Sequence, residues 1–537
     1  MSFHTPCGLR RACLALVLTL PLAGWSAATQ AQTQTQASAT ALILGTKLEL
    51  NTLDPHFFAS FPTGSSHENL YERLTRLDEN GSVQPQLAAS WRAIDNDTWE
   101  FKLRPNVKFH DGSNFTAEDV AFTISRVPNV PNSPNSFAQF TRNIGRVEII
   151  DPLTLRLHTK TPSPTLPLDL ANVFIISARA GKTAVTADYN AGKAAIGTGP
   201  YKLVEWVNGE RLVVERFEGY WGPKPHWQKV TERVIAKDAS RVAALLSGQV
   251  DAIDAVPTAD LARLRQDARF VVNGGPSAQV QYIALDSNRE VSPFVTAKDG
   301  SPLTRNPLKD ARVRKALSLA IPRQAIAERL MEGAALPASQ LLPANFPGAS
   351  ANLKPDPQDL ARAQALLKDA GWGEGFKITL HATGDRYPND AGVAQAIGSG
   401  WTRLGLTVAV DTMPGAVFFG RASKQEFSAF TAQYGSDEVG IGMRALLATF
   451  DASKGFGTAN RTRYSNPAID QKLAEALVIM DNAARQAALA KVMEAYMEDQ
   501  GLIPVFYPVF DYAAKKGLAI THRPQRRFNA LMIKPGA

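Results

Sequence analysis

The sequence predicts an α/β protein with two lobes and a β-rich insertion in the first of them. The chain has 537 residues, whereas a single hydrophobic core stops growing at roughly 250 to 300. Helix and strand patterns alternate between residues 310 and 410, as in an α/β lobe, and hairpin patterns dominate between residues 76 and 195. Two lobes leave a cleft between them, which is where we expect a ligand to bind.

The amino terminus has the pattern of a secretory signal peptide. Arg10 and Arg11 precede an apolar run over residues 12–24, which is too short for a permanent membrane span, and small polar residues follow. We expect a signal peptide over residues 1–31 and a disordered tail over 32–40; ordinary secretion and twin-arginine export both stay open. Cys7 and Cys13 fall within the signal, so the mature chain would have no disulfide and would rely on a large core.

Composition and charge argue against a nucleic-acid-binding function. Removing the signal takes away two arginines and no acidic residue, which leaves 56 basic residues against 50 acidic ones and a net charge of +6. These charges are mixed along the chain, without the basic blocks and interleaved aromatic residues of a nucleic-acid groove. A hydrophobic content of 45% is that of an ordinary globular protein.

The first lobe begins with a strand over residues 42–46 and a helix near residues 66–73. A hairpin follows over residues 90–104, where aromatic and apolar residues alternate on one side. Residues 116–119 read Thr-Ala-Glu-Asp, which resembles a helix capping box, and a second hairpin over residues 145–159 turns at Asp151 and Pro152. The sequence therefore places a β-rich insertion in the first lobe.

The segment GTGP at residues 197–200 raises the possibility of a phosphate-binding loop. Such loops place their glycines at the start of a helix, whereas residues 202–206 and 212–217 alternate as strands around Asn208-Gly209, a hairpin turn. The chain also has no GxGxxG or GK[ST] motif. We therefore predict a hairpin here and no nucleotide site.

The second half alternates helices and strands. Helices are expected over residues 310–321, after Pro322, and over 357–370 and 390–404, with strands at 376–380 and 406–410. Two longer helices follow near residues 467–480 and 483–499, and residues 502–506 return as a strand. Trp401 lies on the apolar face of its helix and is expected in the core.

Motifs for catalysis or metal binding are missing from the sequence. No two of the eight histidines stand three to five residues apart, no GxSxG serine elbow occurs, and no DxDxDG calcium loop is present. We therefore expect no enzymatic activity, no catalytic residue, no metal site and no cofactor.

Four ordered blocks of the sequence, together with the GTGPYKL segment at 197–203 and the YWG at 220–222, resemble the family 5 extracellular solute-binding proteins. These proteins are the dipeptide-, oligopeptide-, glutathione- and nickel-chelate-binding components of bacterial ABC importers. The blocks are LDP at 53–55 with NLYERL at 69–74; residues 85–120; LKDARVRKAL at 308–317; and YSNP at 464–467 with Asp470. In the third block Pro322 stands where the family usually has an aspartate.

The resemblance implies a periplasmic binding protein fold of type II, in the large cluster with an extra domain, whose lobes close on the ligand about a hinge. It divides the chain into lobe I over residues 41–75, 197–300 and 501–537, the β-rich insertion over 76–196, and lobe II over 301–500. The expected location is the periplasm. The partners would be a small solute and an inner-membrane ABC permease, served by a separate ATPase, and the protein would be a monomer.

The resemblance also implies ligand contacts. The peptide-binding branch holds the peptide amine with an aspartate, which corresponds to Asp437 in QYGSD at 433–437, with Tyr434 and Gly435 beside it. An arginine about fifty residues earlier holds the carboxylate in the dipeptide branch, which corresponds to Arg386. This sequence has Tyr434 in place of the usual tryptophan, and it has no Asp-Pro after the aspartate.

The loop over residues 60–65 in lobe I is expected to face the same pocket through Ser60, Phe61 and Thr63. Trp206, Tyr220 and Trp221 are expected to be packing residues rather than ligand contacts. The leading hypothesis is a binding protein for a short peptide or a peptide-like solute. A nickel-chelate-binding protein, with His381 or His67 completing the metal's ligands, is the alternative, and an exported enzyme is a more remote one.

Overall fold

A mixed β-sheet runs through the protein and connects its two halves. The computed structural model describes residues 40–59 and 61–536, and residues 61–63 by their backbone alone. The predicted signal peptide and tail, up to residue 39, lie outside the described residues. The strands are β1 Ala41–Thr46, β2 Thr75–Leu77, β3 Val83–Pro85, β4 Ala88–Ala93, β5 Thr98–Leu103, β6 Ile144–Asp151, β7 Thr154–Thr159, β8 Tyr201–Val207, β9 Arg211–Arg216, β10 Lys229–Val234, β11 Ala252–Ile253, β12 Phe270–Pro276, β13 Gln279–Leu285, β14 Val295–Thr296, β15 Ala335–Pro337, β16 Lys377–Thr383, β17 Thr407–Met413, β18 Ala429–Gly435, β19 Ile503–Lys515, β20 Leu518–Ile520 and β21 Ile533–Pro535.

Helices cover the faces of the sheet. They are α1 Phe61–Leu70, α2 Ala117–Arg126, α3 Leu166–Leu170, α4 Ala178–Gly181, α5 Thr186–Asn190, α6 Asp238–Leu246, α7 Thr258–Gln266, α8 Ala311–Leu319, α9 Arg323–Ala325, α10 Leu360–Asp369, α11 Asp390–Thr402, α12 Gly415–Ser423, α13 Val439–Leu446, α14 Pro467–Leu477 and α15 Asn482–Glu498. Shorter turns of 3₁₀-helix lie at Val127–Asn129, Phe137–Phe140, Pro307–Lys309 and Ala530–Met532, and a π-helical turn lies at Ile326–Leu330.

The strand order of the main sheet is β14-β16-β18-β13-β19-β11-β1-β10-β9-β8. Strand β19 belongs to both halves. Its first residues pair with β13 and β15, and its later residues pair with β12 and β11. The chain crosses between the halves a second time between β12 and β13. There the backbone N–H and the hydroxyl of Ser277 both donate to the carbonyl of Pro508, at 2.8 and 2.9 Å.

Separate cores lie on the two halves. In the second half, Trp401 is fully buried among helices α8, α10 and α11, and its indole N–H donates to the carbonyl of Leu317 at 3.0 Å. The expectation that Trp401 is a core residue is confirmed. In the first half a different cluster packs around Tyr71, Tyr201 and Tyr512. Distinct cores joined by two chain crossings are the physical basis for treating the halves as lobes.

The predicted insertion contains its own four-stranded antiparallel sheet, in the order β4-β5-β7-β6. Its core includes Trp99, Phe101 and Leu157, which follow the alternation seen in the sequence. The capping box at the start of α2 is present, with the Thr116 backbone N–H donating to the Asp119 carboxylate at 2.8 Å. The two predicted hairpins are confirmed.

The hairpin after residue 200 is also confirmed. Strands β8 and β9 pair antiparallel, and Gly209 in the turn has a φ of 72°. The glycines before it serve close packing rather than anion binding. A Cβ on Gly197 would lie 2.0 Å from the Leu70 carbonyl oxygen, and one on Gly199 would lie 2.5 Å from the Leu70 carbonyl carbon. The segment therefore presses directly on the end of helix α1.

Over residues 40–59 and 61–536, no helix combines the length and the apolar character needed to span a membrane.

Candidate functional site

Arg386 and Asp437 follow two neighbouring strands at the same edge of the lobe II sheet. Strands β16 and β18 are parallel neighbours that end at Thr383 and Gly435. Arg386 and Asp437 follow these ends by three and two residues. Because the carboxyl ends of parallel strands share one edge, residues just beyond them are the usual ligand contacts in open α/β sheets.

The loop that carries Arg386 is held by Asp390. One oxygen of the Asp390 carboxylate accepts from the Thr383 hydroxyl at 2.7 Å and from the backbone N–H groups of Arg386 and Tyr387 at 3.1 and 3.2 Å. The Arg386 guanidinium is exposed and lies over the Phe419 ring at 4.9 Å. Its Nε donates to the Tyr387 hydroxyl at 3.3 Å. The guanidinium is therefore positioned by its backbone, by this hydrogen bond and by stacking, and its terminal N–H groups are the ones that a ligand carboxylate would use.

Further aromatic and cationic groups connect this loop to Tyr434. Arg461 lies over the same Phe419 ring, at 5.3 Å. Burial raises the pKa of Tyr434, and the charges of Arg444 and Arg461 partly offset that rise. Gly435 is tightly packed, since a Cβ there would lie 2.9 Å from the Gln279 side chain. Tyr434 thus sits in a cationic environment on the lobe II wall.

Asp437 faces lobe I. Burial raises its pKa, and the rise is partly offset by the charge of Arg527, a hydrogen bond from Asn172 and the charge of Arg73. Asn172 belongs to the predicted insertion, and Arg73 and Arg527 belong to lobe I. Asp437 therefore lies at the contact between lobe II and the rest of the protein, as a ligand-binding carboxylate in a cleft should.

The lobe I wall is a charged cluster centred on Glu68, and its residues Arg73 and Arg527 also act on the charge of Asp437. The Glu68 carboxylate pairs with Arg73 at 2.9 Å, Arg527 at 3.0 Å and Arg523 at 3.2 Å, and it accepts from the Asn529 amide at 2.8 Å. Burial by itself raises the pKa of Glu68, but the three guanidiniums outweigh it and hold the pKa at about 2. Arg73, Arg523, Arg527 and Glu68 line a cavity of about 320 Å³.

This arginine group was not among the predicted site residues. Arg73 lies in the family block at 69–74, where the motif identifies the fold, and Arg523, Arg526 and Arg527 form a basic run near the end of the chain. This basic run is the one feature of the sequence that points to the arginine group. The run and Arg73 are more than 400 residues apart in sequence, so only the fold shows that they meet.

Tyr220 and Trp221 border the same cavity. Both donate to Glu72, from the Tyr220 hydroxyl at 3.0 Å and from the Trp221 indole at 2.8 Å. Burial raises the pKa of Glu72 to about 7, and these hydrogen bonds offset part of the effect. The polar atoms of Tyr220 and Trp221 are thus hydrogen-bonded within lobe I, which agrees with the packing role expected for these two residues.

A second contact between the lobes is electrostatic and involves two acidic residues, Asp169 and Glu438. Glu438 is buried, pairs with Arg485, and accepts from the Gln486 amide at 3.1 Å. Asp169 in helix α3 lies near it. Burial and the charge of Glu438 raise the pKa of Asp169 to about 7, against opposing effects of Arg444, Thr165 and Arg142.

We expect this contact to depend on pH. When the lobes separate, the pKa of Asp169 returns towards its ordinary value of 3.8, so the contact favours the protonated form. Its stabilising contribution is fully present below about pH 4 and is lost as the pH rises through about 7. Asp169→Asn should hold the contact at all pH values.

Fluorescence energy transfer between the lobes would measure this effect. The chain after residue 31 has no cysteine, so Lys182→Cys and Lys472→Cys, both at exposed positions, would carry the labels. Transfer should rise between pH 8 and pH 5 in the parent protein and stay level with Asp169→Asn. An equal change in both proteins would assign the effect to other groups.

Two of the remaining predicted residues lie at the start of helix α1, which begins at Phe61 where the sequence indicates a loop over residues 60–65. Phe61 and Thr63 are in its first turn, and their side chains fall outside the described part of the structure. Ser60 lies outside the described residues altogether. Gly64, next in the helix, is close to the arginine group, since a Cβ there would lie 3.0 Å from Arg527 Nη1.

The two histidines named for a metal chelate are both buried. The Nε2–H of His67 donates to the Thr52 carbonyl at 3.0 Å, and burial lowers the pKa of His67 to about 3. His381 stacks on Phe427 with ring centres 4.2 Å apart. Within the part of the chain that the structure describes, no group of three or more His, Cys, Asp or Glu residues could hold a metal ion.

Two α/β lobes that meet at a charged cleft, with two chain crossings between them, define a solute-binding protein of the periplasmic type. The model of the family described as bacterial extracellular solute-binding proteins, family 5 Middle, matches residues 82–455. The chain belongs to this family. It is thus a solute-binding component of an ABC importer and not an enzyme.

Curated relatives match over most of their length. The glutathione-binding protein GsiB of Pectobacterium atrosepticum is 28% identical over 491 residues, which cover 87% of this chain and 88% of that protein. The protein of the same name from Shigella boydii is 26% identical over 492 residues, covering 89% and 91%.

Solved structures show the same fold. The unliganded open form of the periplasmic murein tripeptide-binding protein MppA has a TM-score of 0.79 at 24% identity, covering 92% of this chain and 97% of that one. DppA from Helicobacter pylori, in complex with the peptide STSA, has a TM-score of 0.68 at 22% identity, covering 94% and 99%.

Proposed function

We propose that the protein captures a short peptide or a peptide-like solute between its lobes in the periplasm and delivers it to an inner-membrane ABC permease. The observation that carries this proposal is the placement of Arg386 and Asp437 beyond neighbouring parallel strands, at the edge of lobe II where Asp437 faces lobe I. The names of the relatives, which are glutathione-binding proteins, support a peptide-like solute.

In this proposal Asp437 binds the amine of the solute and Arg386 binds a carboxylate. Both ends of a zwitterion lose water when the lobes close, so each charge needs a partner of opposite sign. A planar guanidinium can bind a carboxylate through two parallel hydrogen bonds. Tyr434 and Gly435 form the wall between the two charged groups in this proposal, and Ser60, Phe61 and Thr63 stay the predicted solute contacts from lobe I.

The division expected from the sequence has lobe I over 41–75, 197–300 and 501–537, the insertion over 76–196, and lobe II over 301–500. Because β13 and β14 pair within the sheet of the second half, we take the crossings near Ser277 and Pro508 as the lobe boundaries instead. The two crossings near Ser277 and Pro508, which are hydrogen-bonded to each other, supply a natural hinge. The protein acts as a monomer, exported by a signal peptide that is removed.

Intrinsic tryptophan fluorescence and calorimetry against a solute panel would test the function. The panel contains glutathione, dipeptides, tripeptides and nickel with L-histidine. Saturable binding of a peptide or of glutathione at micromolar concentration is the expected result. The proposal would be wrong if the protein bound the nickel chelate and no other solute of the panel, or if it turned over any of these solutes. Mass spectrometry of material that co-purifies with the protein would identify the natural solute directly.

Arg386→Gln should weaken binding of a solute with a free carboxylate by about 1.5 to 3 kcal/mol, because one charged hydrogen-bonding partner is lost. Calorimetry with a peptide and with its C-terminal amide measures the effect. The variant should lose affinity for the acid and bind the amide as the parent protein does.

Arg305→Gln is a matched control, because Arg305 is a lobe II arginine that stacks on Trp372 at 4.8 Å, and it should change neither affinity. If Arg386→Gln weakened binding of the acid and the amide equally, Arg386 would not be the carboxylate ligand.

A further inference from the structure

The cavity of about 320 Å³ between lobe I and the insertion is positively charged. The described residues that line it include five arginines and two glutamates, and no aspartate, lysine or histidine: Arg73, Arg76, Arg104, Arg523, Arg527, Glu68 and Glu72. The guanidiniums therefore exceed the carboxylates by three, even when both glutamates are counted as ionised. Charge that is withdrawn from water is unfavourable unless an opposite charge is bound beside it.

The two glutamates are already engaged by their neighbours. The Glu68 carboxylate is shared by three of the guanidiniums, at 2.9, 3.0 and 3.2 Å. Glu72 accepts from the Tyr220 hydroxyl and the Trp221 indole, and burial raises its pKa to about 7, so part of it is protonated at neutral pH. Asp437 does not line the cavity, and adding its charge would still leave an excess of two positive charges.

Two residues that line this cavity carry buried N–H groups with no hydrogen-bond partner among the described residues. These groups are Arg73 Nε and Gln525 Nε2, and each of the two residues is only 4% exposed. Arg527 Nη1 lies 3.0 Å from a Glu68 oxygen without forming a well-directed hydrogen bond. Buried polar groups are nearly always hydrogen-bonded, so free donors from separate segments of the chain at one cavity indicate a ligand.

An oxyanion fits these features better than water or a neutral group does. Water would satisfy the N–H groups but would leave the excess positive charge without a counter-charge. The oxygens of a carboxylate or a phosphate accept several hydrogen bonds at once, and those from guanidinium N–H groups are short and charge-assisted. A cavity of about 320 Å³ also offers far more space than one water molecule needs.

We propose that this cavity is a binding site for an oxyanion, a phosphate or a carboxylate, whose oxygens accept from Arg73, Gln525 and Arg527. Every described residue that lines the cavity belongs to lobe I or to the insertion, and neither Arg386 nor Asp437 is among them. The site is thus separate from the pair assigned to the two ends of the solute, and it needs no residue of lobe II. This inference goes beyond the proposed function and does not depend on it.

Inorganic phosphate and acetate, one for each class of oxyanion, are the probes that test the inference by calorimetry and thermal unfolding at pH 7. The parent protein should bind at least one of them saturably and unfold at a higher temperature in its presence. Arg527→Gln and Gln525→Leu should each reduce that affinity at least tenfold. Without a probe, Gln525→Leu should be as stable as the parent protein or more stable, because it removes a buried donor that has no partner.

Arg312→Gln is the matched control, because it removes one positive charge at an exposed position where Arg312 pairs with Asp310. It should leave the affinity for both probes unchanged. Absence of saturable binding of both probes to the parent protein would overturn the inference. Equal weakening by Arg312→Gln and Arg527→Gln would also overturn it, because net charge alone would then explain the binding.

A competition experiment identifies the source of the oxyanion. The titration is repeated in the presence of a saturating panel solute that the protein binds. Competition would assign the oxyanion to a group carried by the solute, and independent binding would assign it to a free anion; both results support the site. If a probe bound and no panel solute did, the proposed function would be wrong and the oxyanion site would stand.

Discussion

Asp437→Asn is expected to weaken binding of an amine-bearing solute by about 2 to 5 kcal/mol, the cost of removing one partner of a buried charge pair. The substitution keeps the shape of the side chain but removes the charge that faces the solute amine. Calorimetry with glutathione or with the natural solute would show the loss as a higher Kd.

The Asp437→Asn variant should be as stable to unfolding as the parent protein, or more stable. Burial raises the pKa of Asp437, so its ionised form is held at a cost in the folded protein. A purely structural carboxylate would instead lower the unfolding temperature when replaced. Glu374→Gln, at an exposed position of the same lobe, should leave both affinity and stability unchanged. Unchanged affinity in Asp437→Asn would remove this residue from the site.

Gly197→Ala is expected to destabilise the fold by about 3 to 5 kcal/mol, at the upper end of single substitutions. The new methyl group would lie 2.0 Å from the Leu70 carbonyl oxygen and 2.7 Å from the Tyr71 ring. The opposing atom is backbone at the end of helix α1. Helix α1 also carries Glu68, so a shift there disturbs the lobe I wall.

Urea-induced unfolding followed by circular dichroism would measure the change. Gly420→Ala is the matched control, because nothing lies within 4 Å of the added Cβ and the residue is inside helix α12. Alanine there should be neutral or stabilising by up to about 1 kcal/mol. If both glycine variants unfolded at the same urea concentration, close packing would not explain the GTGP segment.

Local patterns predicted much of the fold. The hairpin around Asn208 and Gly209, the capping box at Thr116 and the buried face of Trp401 all follow from residues close together in sequence. Such features depend on turn chemistry and on periods of two or 3.6 residues, which a sequence displays directly.

The candidate site could be predicted only in part. Asp437 and Arg386 came from a resemblance to a family, and their roles as ligand contacts stay predictions. The wall formed by Arg73, Arg523 and Arg527 was missed, because buried arginines that share one carboxylate look like ordinary surface charges in a sequence. The electrostatic interaction between Asp169 and Glu438 was missed because it joins two residues that are 269 positions apart in sequence.

By itself, the sequence determined the class of fold, the family and the absence of common catalytic motifs. Only the tertiary structure decided which charges face one another across the cleft. Asp437 lies 364 residues from Arg73 and 90 residues from Arg527. Their charges act on one another because β19 and the crossing near Ser277 place lobe I beside the edge of lobe II. Burial and long-range electrostatics are properties of that arrangement and have no local pattern in the chain.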